Sequence, residues 1–333
     1  MLFFYKINKD FLWTIWIFFF FSNATAWGLP PPEDRFEFSH SSMGSLFVVT
    51  VYGNDAGLAK RTAESAFSMV DRLNLIMSDY NPESELMKLS RQSGQGIYVP
   101  VSKELFEVLK ESLYWSEWSG GLFDITVGAY TQLWRRAGRK GRLPDASDLQ
   151  KADSVVGFHH IKLDTVNRAV LLEQPGMQLD LGGIAKGYTV DLIFDLFASK
   201  GFDQVLVDGG GDIRAGENPP GTEGWKIVME TYAGADSISY ISNCSIATSG
   251  DLYRYTEVGG VRYSHIIDPS TGYGITTPRT VTVTAPTCMQ ADVLASILSI
   301  AGAGKGFELL NGLKDVSAMM VEIEDGIEKD FYY

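Results

Sequence analysis

Six short stretches of this sequence carry residue types and spacings that can do chemistry. In SHIIDPSTG (Ser264–Gly272), one of only four histidines in the chain is followed by Asp268. Pro269 restricts Asp268 to an extended backbone. An imidazole titrates close to neutrality, so His265 beside a carboxylate is a usable general base. A histidine that satisfies a turn hydrogen bond has the same pattern, and the stretch alone leaves both readings open.

The second stretch, LDLGGIAKGYTVD (Leu179–Asp191), sets Gly182 and Gly183 between extended and helical patterns. Adjacent glycines let a backbone approach a ligand, and a helix N-terminus offers N–H groups to anionic oxygen. Lys186 stands in the first helical turn, the unfavourable end of the dipole for a cation, which makes sense beside phosphate. The spacing matches neither GxGxxG nor GxxxxGK[ST], and a plain tight turn is the competing reading. VDGGGDIRAGE (Val207–Glu217) reads as a glycine-rich strand turn, or as an edge able to pass under a flat ligand.

MQADVLASIL (Met289–Leu298) places Asp292 and Ser296 on one face of a helix. A carboxylate in an apolar helix is costly to bury unless it is paired or bound to metal. Carboxylate, hydroxyl, carbonyl and phosphate oxygens together suit Mg²⁺, and a hydrogen-bonded pair is the alternative. Finally, Tyr80 follows a helix ending at Ser78-Asp79, where a ring can stack on a planar heterocycle or simply pack the helix end. In GGLFDITVGAYTQLW (Gly120–Trp134), Asp124 reads as a helix N-cap.

These residues need elements to hold them. SLFVVTVYG (Ser45–Gly53) is β-branched and aromatic, hence a strand. Asp55 is placed to cap a helix whose Ala59, Ala63, Ala66, Val70, Leu73 and Met77 recur at helical spacing. Further helices are expected from Ser102 to Trp118, from Ala185 to Lys200 and from Met289 to Ile300, with a short one in GKGFELLNG. Strands are expected in MQLDL, on both sides of Gly209–Gly211, in a hairpin of Trp225–Thr231 with Ser237–Ile241, and over Val281–Ala285 and Ser317–Glu324. Hairpins alternating with long helices predict an α+β fold.

The chain has 333 residues and a net charge of −13, ordinary for a globular protein and unfavourable for nucleic acid. Any bound nucleotide therefore needs local cations or backbone amides. Lys6 and Lys9 precede the apolar run Phe11–Phe21, which is too short to span a bilayer, and Ala24-Thr25-Ala26 has the form of a signal-peptidase site. The expectation is a secretory signal over residues 1–26, a Pro-rich linker over 27–42 and one domain over 43–333, with an uncleaved N-terminal anchor as the alternative. Cys244 and Cys288 are expected to be free, with Cys288 buried.

Taken in order, Met43-Gly44, SDYNPESEL, GLFDITVGAYTQLW, DLGGIAKGYTVD, VDGGGDI, ATSGDLYRYTEVGGVRYSHIIDPSTG and ADVLAS closely resemble the ApbE family, the FAD:protein FMN transferases. The resemblance runs from Met43 to Ala301. It implies an α+β fold of ApbE-like (T-fold-like) type, with a mixed and antiparallel sheet packed with helices. It also implies FAD as substrate, Mg²⁺ as cofactor, and transfer of FMN to a Thr or Ser hydroxyl of an acceptor protein with release of AMP. The acceptors implied are membrane redox subunits, such as those of the sodium-pumping quinone reductase, and the location implied is periplasmic. By matching position, Met43, Tyr80, Leu122, Phe123, Asp124, Gly182, Lys186 and Tyr188 surround the flavin nucleotide. The Ala185 carbonyl, Asp292 and Ser296 hold the metal, and His265 deprotonates the acceptor hydroxyl with Asp268 assisting.

One departure stands out. Ser296 stands where the family usually has threonine, which keeps the ligating hydroxyl and loses the methyl that restricts its rotamer. FAD hydrolysis to FMN and AMP, or FAD binding without turnover, are the competing expectations.

Overall fold

The computed structural model describes residues 34–229, 237–250, 254–324 and 327–333. The expected signal over 1–26 and the first part of the expected linker lie outside the described residues. Residues 34–42, read as the end of that linker, form a strand instead, β1 (Asp34–Ser42). Phe36, Phe38 and His40 alternate with exposed neighbours, and the strand pairs antiparallel along the whole of β2 (Ser45–Gly53). The prolines upstream masked this period-two pattern in the sequence.

β2 leads into α1 (Ala56–Met77), capped by Asp55, whose carboxylate accepts from Leu58 N at 2.8 Å. The six apolar positions expected of this helix are all buried. Next come α2 (Glu85–Ser90), β3 (Val99–Pro100) and α3 (Lys103–Trp118), which Ser102 caps. α4 (Gly128–Gly138), α5 (Ala146–Asp153), β4 (Ile161–Asp164) and β5 (Ala169–Leu172) follow, with β3, β5 and β4 forming a small sheet of their own.

The second half begins with α6 (Ala185–Ala198). The strand expected at MQLDL is absent: Gln178 makes an isolated parallel bridge to Val127 and Asp180 N donates to the Ile125 carbonyl at 2.8 Å, which is too little pairing for a strand. β6 (Val205–Asp208) and β7 (Asp212–Ala215) are the two strands flanking the triple glycine. β8 (Trp225–Met229) pairs with β9 (Ser237–Ile241) as expected. β10 (Cys244–Gly250), the hairpin β11 (Tyr255–Val258) and β12 (Val261–Ser264), then β13 (Arg279–Ala285) precede α7 (Cys288–Ala301). α8 (Ala303–Leu310), β14 (Ser317–Glu324) and β15 (Ile327–Tyr332) close the chain.

The main sheet has eight strands in the order β1-β2-β6-β7-β10-β13-β14-β15, and every neighbouring pair is antiparallel. Alternation along β6 shows how it is covered. Val205 and Val207 join Phe47, Val49 and Val51 under α1 and α6, while Leu206 points the other way, toward Trp225 and Ile227 of the β8–β9 hairpin. The fold is thus α+β, with helices α1, α6 and α7 packed on the sheet. Both cysteines are free, Cys288 buried and Cys244 partly so. Among the described residues no helix is long and apolar enough to cross a membrane.

Candidate active site

The core of the site is the place where α6 and α7 cross. A Cβ on Gly187 would lie 2.5 Å from the Cys288 carbonyl oxygen, so only glycine permits this approach. Contact is close enough for each helix to cap the other. Gly187 N donates to Asp292 Oδ2 at 3.2 Å, satisfying an N–H in the first turn of α6, whose own N-cap residue Ile184 offers no side-chain bond. In return, Asp191 of α6 accepts from Cys288 N and Met289 N, each at 2.9 Å, at the start of α7.

The three expected metal ligands lie on the two helices that cross here. Ala185 opens α6, Asp292 faces it from α7, and Ser296 lies one turn further along the same face. A Cβ on Gly183 would come within 2.8 Å of Ser296 Oγ and 3.3 Å of Phe123, so the glycine turn, Phe123 and Ser296 meet. The Ala185 carbonyl accepts from Thr189 Oγ1 at 2.8 Å, a bond to the residue one turn on in α6.

Two features suit a divalent cation. Burial, and after it the charge of Asp212, push the Asp292 carboxyl up to about 8, against the pull of Lys186 and the Gly187 N–H. A carboxylate so placed gains from a cation beside it. Ser296 Oγ has no hydrogen-bond partner among the described residues. Among those residues no group of three or more His, Cys, Asp or Glu side chains forms a cage, so a metal here would rest on mixed carbonyl, carboxylate and hydroxyl oxygens.

Lys186 is ion-paired with Asp212, the first residue of β7. Burial works against its charge, but the Asp212 and Asp292 carboxylates outweigh it and hold the ammonium above its usual range. The triple glycine makes this possible. Gly210 adopts φ +83° against Ser45, and Asp208 Oδ1 accepts from Gly210 N and Gly211 N at 2.7 and 2.8 Å, turning β7 so that Asp212 points at α6. Met43, itself at φ +52°, reaches the same helix, with Thr189 Oγ1 3.6 Å from its sulfur.

Tyr80 is 76% exposed, and the Arg135 guanidinium lies 3.8 Å from its ring centre. Arg135 pairs with Asp79 at 2.7 Å and stands 3.8 Å from Asp180, whose other oxygen accepts from Gly182 N. Burial and the charge of Asp180 push Asp79 up to about 6 in spite of Arg135. Tyr80 is thereby tied through one arginine to the glycine turn. Three other expected nucleotide residues are committed elsewhere in part. The Tyr188 hydroxyl donates to Glu107 on α3 at 3.0 Å, and Leu122 packs on the core. Asp124 does not cap α4, which begins past Val127; it forms a turn of its own, accepting from Thr126 and from Phe158 N.

His265 is exposed at the end of β12. Its Nδ1 lies 3.1 Å from the Arg254 carbonyl oxygen, an obligate acceptor, so this contact places the ring proton on Nδ1 and leaves Nε2 as the basic nitrogen. Asp268 is bound into the turn, where its Oδ1 accepts from Ser270 N at 2.8 Å and Ser270 Oγ at 2.7 Å. The loop is gripped from behind by α4. Trp134 Nε1 donates to the Gly272 carbonyl at 2.8 Å, and a Cβ on Gly272 would fall 2.7 Å from the Tyr130 ring. Consecutive residues of one helix, Trp134 and Arg135, therefore hold the His265 loop and the Tyr80 corner.

Sequence reasoning missed Asp212, Asp191, Arg214, Asp79, Asp180 and Arg135. The rule applied to Asp292, a carboxylate in an apolar helix, applies equally to Asp191, which pairs with Arg214 at 2.8 Å. Arg135 carries no such signal, because its partners come from distant segments.

The sequence profile of the ApbE family matches residues 43–320. The chain is 31% identical over 306 residues to a FAD:protein FMN transferase of Treponema pallidum, covering 86% of this chain and 84% of that one. It is 30% identical over 313 residues to another from Vibrio cholerae, covering 91% and 92%. The solved structure of the flavin transferase ApbE from Vibrio cholerae superposes with a TM-score of 0.82 at 27% identity, over 90% of this chain and 97% of that one.

Proposed function

This chain belongs to the ApbE family, and from that premise we propose that it transfers the FMN half of FAD to a threonine or serine hydroxyl of an acceptor protein, releasing AMP. The observation that carries the reading is the crossing of α6 on α7 at Gly187, which gathers Ala185, Lys186, Asp292 and Ser296 beside the glycine turn. A chain of net charge −13 needs such a local arrangement to hold a pyrophosphate.

A hydroxyl is a weak nucleophile near neutral pH. His265 Nε2 takes its proton as the oxygen attacks the phosphorus of the FMN half. One P–O bond forms to the acceptor, the pyrophosphate P–O bond breaks, and the electron pair leaves on the AMP phosphate. Lys186, kept charged by Asp212, sets a fixed cation at the start of α6. Mg²⁺ would be held by the Ala185 carbonyl, Asp292 and Ser296, and when bound it neutralises charge at the pyrophosphate. Asp268 acts on His265 indirectly, by fixing the turn that follows it. Export, and a membrane redox subunit as acceptor, belong to the same proposal and rest on the N-terminal sequence and the family resemblance.

Incubating the protein with FAD, Mg²⁺ and a threonine-containing peptide tests it. Peptide heavier by one FMN phosphoryl unit, formed together with AMP, is the expected result. Free FMN and AMP with unmodified peptide would replace transfer by hydrolysis, and intact bound FAD would leave a binding protein.

A further inference from the structure

The last turn of α4 and the residues after it form a charge anomaly. Five of the eight residues in RRAGRKGR (Arg135–Arg142) are cationic, and no acidic residue occurs from Ile125 to Pro144, in a chain of net charge −13. Arg135 is taken up by Asp79 and Asp180. Arg136, Arg139, Lys140 and Arg142 are exposed, and among the described residues only Arg142 of these has a carboxylate partner, Asp145 at 2.9 Å. Of the acidic groups that follow or face this segment, Asp148 pairs with Lys151, and Glu257 is the cross-strand neighbour of Arg262 in the β11–β12 register.

This patch has a fixed place relative to the site. A Cβ on Gly138 would lie 3.1 Å from Thr256 Oγ1, so the end of α4 abuts β11. β11 is preceded by Arg254, whose carbonyl meets His265 Nδ1. The turn carrying the charges is ordered by its own backbone: Lys140 N and Arg142 N both donate to the Ala137 carbonyl, and Arg139 Nε donates to the Arg135 carbonyl. Trp134, one turn earlier, grips the His265 loop. The cations therefore stand on a rigid support at the rim from which an acceptor hydroxyl reaches His265.

Resting on the transfer reading above, we infer that this face docks an acidic segment of the acceptor protein beside its modified hydroxyl. Exposed cations of one sign, three of the four without a carboxylate partner among the described residues, speed encounter with an oppositely charged partner and orient it. The rest of the surface, being acidic, turns such a partner away. FAD itself is served by Lys186 and the helix crossing, so these cations are not needed for it.

Two fluorescent threonine peptides, one with Asp and Glu flanks and one with Asn and Gln in their place, test this on the full chain. Anisotropy gives binding, and FMN incorporation gives kcat/KM. The acidic peptide should bind roughly tenfold more tightly at low salt, and the preference should fall as salt rises. In Arg136→Glu/Arg139→Glu/Lys140→Glu it should vanish, with FAD affinity unchanged; Lys140→Glu alone should lose part of it. Equal binding of the two peptides by the native chain, or equal loss for both in the variant, would overturn the inference. So would binding to vesicles of anionic phospholipid that the triple variant abolishes while the peptide preference survives, since the surface would then belong to a membrane. Charge-selective binding without transfer would instead sink the transferase reading and leave the docking surface standing.

Discussion

The α6–α7 crossing and the His265 loop solve opposite problems. At the crossing, carboxylates and an ammonium are buried together, each helix caps the other, and Gly187 leaves no space for a methyl group. Several bonds hold this crossing, so a pyrophosphate bound there, as proposed, would meet a site already formed. His265 instead is exposed, with Nδ1 against the Arg254 carbonyl, on a loop held from behind by Tyr130 and Trp134. In the proposed reaction an acceptor protein has to reach that imidazole, and its exposure in front with fixation behind suits that role. On that proposal the nucleotide side is made by burial, and the acceptor side by anchoring an open residue.

The two sides should fail differently. Asp292→Ala removes the carboxylate of the metal position and the cap of α6, so FAD cleavage and transfer should both fall by about 10³-fold, with Mg²⁺ no longer stimulating either. A variant still stimulated by Mg²⁺ would show that the two sides have been assigned wrongly. His265→Ala should lower transfer to a peptide by about 10²- to 10³-fold and leave FAD affinity intact. Unchanged transfer rates in that variant would refute the base.

A methyl group can probe the same contrast through packing. Gly187→Ala forces α6 away from the Cys288 carbonyl and should cost about 1–3 kcal/mol, together with weaker Mg²⁺ binding. Gly138→Ala meets only the end of the Thr256 side chain and should stay within about 0.5 kcal/mol of the native protein. Thermal melting with and without Mg²⁺ distinguishes them. Equal effects would mean that the crossing is no tighter than the α4–β11 contact.

Much of the first region was legible in the sequence. Asp292 and Ser296 share a face by helical spacing, the glycine pair marks the start of α6, and Lys186 in a first turn asks for a phosphate beside it. The partner, Asp212, was visible only as part of a glycine-rich turn, because its direction depends on how β7 leaves that turn. The second region was less legible. His265 beside an Asp268 held extended by Pro269 was readable, but its contact with Arg254 crosses a hairpin and its anchor comes from α4, far away in the chain. Local pattern reports faces and turns; it does not report which loop a distant helix holds. β1 was missed because the prolines upstream suggested a linker, and β15 because its residues show no alternation in burial.

The cluster of Asp79, Arg135 and Asp180 joins the two regions, and it sets the smallest effect. Asp79 is pushed up to about 6 by burial and by Asp180, from an ordinary value of 3.8. The folded protein thus holds this proton more tightly than the unfolded chain does. The stability so gained is complete below about pH 4. It is lost as pH rises through 6, where the folded carboxyl ionises beside Asp180. Asp79→Asn cannot ionise and keeps an oxygen for Arg135. Its melting temperature should match the native protein near pH 4, overtake it between pH 4 and 6, and stay ahead above that by the equivalent of about 1–2 kcal/mol. A variant less stable than the native protein at pH 8 would show that the Arg135 ion pair outweighs the repulsion from Asp180. The corner that ties Tyr80 to the glycine turn would then be held by attraction, as the helix crossing is.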